Sequence, residues 1–380
     1  MLLTRICLFL GAASLFFVKG GHEGLTMMYP NTTGLPASSV EKTIVSFNDT
    51  IPNDTLYTLK SEEGYPVSYF RKIETGVCID GKCRIMNIIL HWAITGRYLG
   101  FELPKGEFLS KTEHVKFSHE EYQRLHKLLS NPYSLLANFT IYELIPQKNT
   151  NAGKVDAISA ATIAGVSDYI VKGAVYTSYT LWHIVYGNTR SAIIRKTEQA
   201  LTPELVQLIL KSPNMEDKAW GLSHINGFVE FTPGVQSSVL NFIQNEDYYL
   251  SEKAINAIAP ENLASDSLQL RLFDKFDTVN FGLKLLILDK LKEAPVLNAQ
   301  VAEKLAAGLN GYRGSVTNNI LRLFAKHQIS TPGICRLTAE LLQHQNSFIS
   351  RKAYQYLSGI TIHDKKINRL IHKYKSKHQL

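Results

Sequence analysis

The chain has 380 residues, long for one domain and comfortable for two, with 45% hydrophobic residues and a formal net charge of +8. Arg5 and Lys19 near the start and a net +5 in residues 363–380 account for most of that charge, so the body is close to neutral. A neutral body excludes the broad basic groove of a nucleic-acid binder. The sequence also lacks GxSxG, HExxH, CxxCH, Walker and dinucleotide signatures, and its histidines show no metal-ligand spacing.

Behind Arg5, residues 6–18 form an uncharged, largely apolar run, too short to span a bilayer and suited to a signal-peptide core. Val18 and Gly20 complete a small-residue cleavage pattern. Residues 1–20 are therefore expected to be a signal peptide, with a retained anchor as the alternative, and the protein to be exported, periplasmic or secreted. Residues 21–60 are rich in Thr, Ser, Asn, Pro and Gly and read as a leader or linker rather than core.

Residues 61–190 read as an α+β domain. Strand-type segments at 65–79 and 82–92 flank Asp80-Gly81, a strong two-residue hairpin turn. In that register Cys78 faces Cys83 within disulfide range, so a structural staple is expected; the CxxxxC spacing differs from a redox CxxC. A turn at Thr95-Gly96 leads into residues 97–103, completing an antiparallel meander of three strands. Ser118 and Glu121 form a capping box for a helix running to about Leu129, and residues 135–145 read as a further strand.

The run DAISAAT places Asp156, Ser159, Ala161 and Thr162 in a pattern that resembles the acceptor motif of the covalently flavinylated FMN-binding domain family. That family includes exported electron-carrying subunits of sodium-translocating quinone reductases and Rnf complexes. The resemblance spans residues 65–187 and implies an exported electron-transfer flavoprotein, a redox carrier more than an enzyme with its own substrate. It implies FMN joined through its phosphate to the Thr162 hydroxyl, a flavin transferase for maturation, and a redox partner protein. Position 160 is Ala where the family usually has Gly, a costly change if positive φ is required there. The same residues also read as an ordinary helix start, with Asp156 or Ser159 as N-cap.

Tyr176, Tyr179, Trp182 and Tyr186 follow at helical spacing, with His183 beside them. This stripe either walls an isoalloxazine ring, with Tyr176 and Trp182 as candidates, or is core at the seam between two domains. Lys111 and His114 either meet a phosphate or the flavin pyrimidine edge, or lie on a solvated loop.

Residues 191–362 carry a different pattern. Segments beginning near Thr202, Thr232, Asp266, Asn298 and Thr331 each hold two apolar helical stripes joined by a polar break. Such a hairpin cannot bury its stripe alone, so a stack of HEAT-like repeats is expected, with Cys335 in its core. The basic tail, residues 363–380, has Ile367, Leu370, Ile371 and Tyr374 at helical spacing. It reads as a terminal capping helix, or as a peripheral contact for an anionic membrane or acidic partner.

The fold expected is thus an α+β N-terminal domain, an antiparallel meander with helices, followed by an all-α helical-repeat solenoid. In the flavin reading the solenoid is a docking arm. The alternative function is an exported, non-enzymatic binding or scaffold protein, in which a stapled β-rich domain and a solenoid present surfaces to partners.

Overall fold

The structure is a computed structural model that describes residues 24–49, 51–76, 84–111, 115–144 and 170–379. The expected signal peptide, the cysteine pair Cys78 and Cys83, and the Asp156–Thr162 motif lie outside the described residues.

Among the described residues, six strands form one antiparallel sheet: β1 (Leu25–Met28), β2 (Ser39–Ile44), β3 (Thr55–Lys60), β4 (Pro66–Thr75), β5 (Met86–Ala93) and β6 (Tyr98–Leu103). Their order is β1-β6-β5-β4-β3-β2. The central pair shows why these segments are strands. On one face Tyr69, Arg71 and Ile73 of β4 stand opposite Trp92, Leu90 and Ile88 of β5, and all six are buried. The expected meander is β4–β6, and Thr75 pairs with Met86, the register that a turn at Asp80-Gly81 requires. At the other turn Gly96 has φ +80°, and a Cβ there would lie 2.9 Å from the Ile194 side chain. Both the turn and the close helix above it therefore call for glycine.

The leader reading of residues 21–60 is corrected by the sheet: the described part of that segment supplies β1, β2 and β3. Its polar composition has a structural cause. β1 and β2 are the two edge strands, and the outward Val40, Lys42 and Ile44 of β2 are exposed. Such strands need little apolar alternation.

Helices α1 (His119–Leu129), α2 (Ile141–Leu144), α3 (Val175–Tyr186) and α4 (Asn188–Gln199) follow. The capping box of α1 is formed as expected, with the Ser118 amide donating to Glu121 at 2.8 Å. The described part of the strand expected at 135–145, residues 135–144, is no strand. Ser134 caps a single 3-10 turn (Leu135–Asn138), and the Thr140 amide donates to Glu143 at 2.7 Å ahead of α2. These local bonds take the polar groups that a ladder would use. Helices α3 and α4 lie on the buried face of the sheet. The Trp92 indole donates to the Val185 carbonyl at 3.0 Å, and the Thr197 hydroxyl to the Ile94 carbonyl at 2.6 Å. Arg71, fully buried, reaches Asp49 at 2.6 Å and Thr189 at 2.9 Å. The front core runs past the expected boundary at 190, through Ile193 to Leu205 and Ile209.

Five helical hairpins follow: α5 (Pro203–Leu210) with α6 (Met215–Ser223), α7 (Pro233–Asn241) with α8 (Tyr248–Asn256), and α9 (Asp266–Phe276) with α10 (Phe281–Leu291). The last two are α11 (Ala299–Ala307) with α12 (Gly314–Lys326), and α13 (Pro332–Glu340) with α14 (Ser347–Ser358). First helices start after Thr202, Thr232, Ser265, Asn298 and Thr331, as the sequence pattern leads one to expect. The second helices are more regular still. Their N-cap positions are Asn214, Asp247, Asn280, Arg313 and Asn346, a constant period of 33 residues. One apolar core threads the stack and includes Cys335. The basic tail forms α15 (Lys365–His378), which closes the end of that core with Ile367 and Tyr374.

Candidate functional site

Helix α3 carries the aromatic stripe. Leu181, Trp182 and Val185 are buried in the front core, which places the helix inside that domain rather than at the seam. The Trp182 indole donates to the Asn131 carbonyl at 3.0 Å, and the Tyr186 hydroxyl to the Leu129 carbonyl at 2.8 Å. Trp182 is only 5% exposed and packs against Tyr186 at 4.8 Å between centroids. Its ring offers no open face to a flavin. Tyr176 is half-buried at the start of the helix. Burial lowers the His183 pKa, opposed by a hydrogen bond with the Leu136 backbone, and the Tyr179 ring lies tilted against its ring at 4.1 Å between centroids. Among the described residues, Ser178 Oγ and His183 Nε2 are buried without a hydrogen-bond partner. Lys111 is committed to Glu121 at 2.7 Å, and this hydrogen bond with that of Ser118 holds the Glu121 carboxyl below its usual range. His114, Asp156, Ser159, Ala161 and Thr162 lie outside the described residues. Among the described residues Trp182 is buried and Lys111 is ion-paired, and the attachment motif lies outside them.

The seam is built elsewhere. Asp217, on α6, is fully buried and faces the turn between β5 and β6. Arg97 grips its carboxylate with Nε at 3.1 Å and Nη2 at 2.7 Å. The hydroxyls of Thr95, Thr32 and Ser212 donate to it at 2.5, 3.0 and 2.9 Å. Burial alone would raise its pKa, but Arg97 and the hydroxyls outweigh that and leave it lowered. Three separated parts of the chain thus converge on one carboxylate of the first repeat, a bolt between sheet and solenoid. Sequence reasoning missed it because Asp217 looks like an acid in the first turn of a capped helix, an ordinary place for one.

A third feature follows the 33-residue period. The first residue of each second helix is Met215, Tyr248, Phe281, Gly314 and Ser347 in turn. Met215, Tyr248, Phe281 and Phe348, one residue into the last helix, are between 41% and 54% exposed. Adjacent repeats make room for these rings. A Cβ on Gly282 would meet Tyr248 at 3.1 Å, and one on Gly314 would meet Phe348 at 3.2 Å. The exposed side chains form a ridge along one edge of the stack. The expected repeat could have revealed it, had its period been resolved from the N-caps.

No family model matches the chain. No curated protein matches it either. Among solved structures, one described as a crystal structure of an engineered protein is similar, with 15% identity over 64% of this chain and 72% of the other, at a TM-score of 0.32.

Proposed function

We propose that this protein is a binding scaffold, in which the repeat stack is the docking surface and the sheet domain is its rigid mount. The observation that carries the reading is the ridge at Met215, Tyr248, Phe281 and Phe348. Large apolar side chains recur at the start of four of the five second helices, and about half of each is left uncovered. The Asp217 bolt supports it, because it ties the first repeat to the sheet through a carboxylate with its lone pairs occupied. Site-specific photo-crosslinking tests the reading. A crosslinker at Phe281 is expected to give an adduct of discrete mass in the native host, and one at the exposed Gln300 is not. Equal labelling at both positions, or none at Phe281, refutes it.

A second reading rests on the motif Asp156, Ser159, Ala161 and Thr162: an exported flavoprotein with FMN esterified to Thr162. Co-expression with a flavin transferase in an exporting host, followed by in-gel fluorescence and intact mass, tests it. The adduct must disappear in Thr162→Ala; its persistence, or its absence from the unaltered protein, removes the reading.

A further inference from the structure

We infer that the basic end of the repeat stack rests on an anionic lipid bilayer, held there by the exposed strip of cations on α15. The inference is independent of the ridge and adds a second surface to the scaffold.

The net charge of the chain is collected at this end. Residues 331–380 hold nine Lys or Arg against two Asp or Glu, a net +7 where the whole chain has +8. Six of the nine lie on α15: Lys365, Lys366, Arg369, Lys373, Lys375 and Lys377, in a helix without Asp or Glu. All six are exposed, and among the described residues none of them enters an ion pair or sits on an aromatic ring. The neighbouring helices do not offset them. Helix α14 contributes Arg351 and Lys352 and no acid, while α13 contributes Arg336 against Glu340. The second acid, Asp364, is occupied as the N-cap, accepting from the Lys366 and Ile367 amides at 2.8 and 3.3 Å.

Packing sets these charges in a line. Ile367 and Tyr374 are buried on the stack, with Leu370 and Ile371 packed beside them, which fixes the rotation of the helix. Lys366, Arg369, Lys373 and Lys377 follow at spacings of three, four and four, one stripe along the helix. At 1.5 Å per residue the stripe is about 16 Å long, and Lys365 lies one turn before Arg369.

The make-up of the strip selects the occupant. Among the described residues α15 has no exposed large apolar side chain, the anchor that a tight protein partner needs. Five of its six cations are lysines, point charges without the planar fork that grips a discrete carboxylate. The rest of the chain is nearly neutral, so a nucleic-acid duplex gains no second contact. An anionic bilayer requires neither anchor nor fork, and each lysine near it raises affinity about fivefold. The apolar face of α15 is already used by the stack, so the contact is by charge alone, without insertion.

The test is co-sedimentation of the full chain with vesicles of phosphatidylcholine alone or mixed in equal parts with phosphatidylserine. Binding is expected to the mixed vesicles only, and is expected to be lost as salt approaches about 1 M, where the screening length is about 3 Å. Lys366→Gln, Arg369→Gln and Lys373→Gln together are expected to weaken it about a hundredfold, at about fivefold for each charge. Lys127→Gln, Lys172→Gln and Lys211→Gln, which remove three exposed lysines elsewhere, are expected to leave it nearly unchanged. No binding to the mixed vesicles, equal binding to both kinds, survival at high salt, or equal loss in the two triple variants overturns the inference. Binding of an oligoglutamate peptide or a DNA duplex through the same three residues, with none to vesicles, makes another polyanion the occupant and overturns it as well. Tyr248→Ser with Phe281→Ser is expected to leave vesicle binding intact; a loss there places the contact on the ridge and removes it from α15.

Discussion

Replacing Asp217 with alanine isolates the bolt between the sheet and the first repeat. The change strips Arg97 of both carboxylate bonds, leaving it a 3.5 Å contact with the Pro30 carbonyl, and removes the acceptor of three buried hydroxyls. Breaking a buried ion pair from one side costs about 3–5 kcal/mol. The Arg97 side chain keeps 14% exposure and can partly rehydrate, so the lower end, about 3 kcal/mol, is expected. Asp217→Asn keeps a carbonyl acceptor and should lose about 1.5–3 kcal/mol, the range of a charged hydrogen bond. Arg97→Met with Asp217→Leu removes both charges and should recover much of the loss. The assay is urea unfolding followed by far-UV circular dichroism, which reports the helices, and by tryptophan fluorescence of a Trp220→Phe background, which leaves Trp92 and Trp182 in the front core as reporters. With the bolt broken, the two signals should separate into distinct transitions. The acid limb offers a second check. A lowered folded-state pKa means the bolt stabilises fully above about pH 4 and is lost as pH falls through the folded value, so Asp217→Ala should flatten that limb. A loss below 0.5 kcal/mol with coincident transitions would refute the reasoning.

Three further outcomes follow from the geometry. His126, held at 3.0 Å from the Tyr98 hydroxyl and stacked on Tyr29, has its pKa lowered by burial to about 4. Its NMR titration should therefore centre near that value, and its part of the stability should be lost as pH falls from about 6.5 toward 4. A midpoint at the ordinary histidine value would contradict this. Cys335 is buried in the solenoid core, and burial raises its thiol pKa, so a thiol reagent should label it slowly in the native protein and at once in urea. Non-reducing peptide mapping should recover Cys78 joined to Cys83, the pairing that the register of β4 and β5 supports up to Thr75 and Met86; finding both as free thiols removes the staple.

The flavin motif and the ridge differ in how sequence and structure bear on them. Thr162 was visible as a chemical pattern, yet its residues lie outside those described, and Trp182, its expected neighbour, proved to be core. The ridge was invisible in the chemistry of any one residue. Met215, Tyr248 and Phe281 differ in type, and only their common place at the start of stacked helices makes them one surface.

The features legible in the chain alone are those encoded locally. The capping box at Ser118 and Glu121, the hairpin register of β4 and β5, the five repeat starts and the core position of Cys335 depend on neighbours a few residues apart. Periodicity and capping act within a turn or a strand pair, so they can be read from the chain alone. Tertiary structure decided the rest. Edge strands β1 and β2 looked like linker because an edge buries only part of its surface and needs no apolar alternation. The bolt required Asp217 to meet Arg97, 120 residues away, and a carboxylate can remain charged in a buried seam only where packing brings such partners to it.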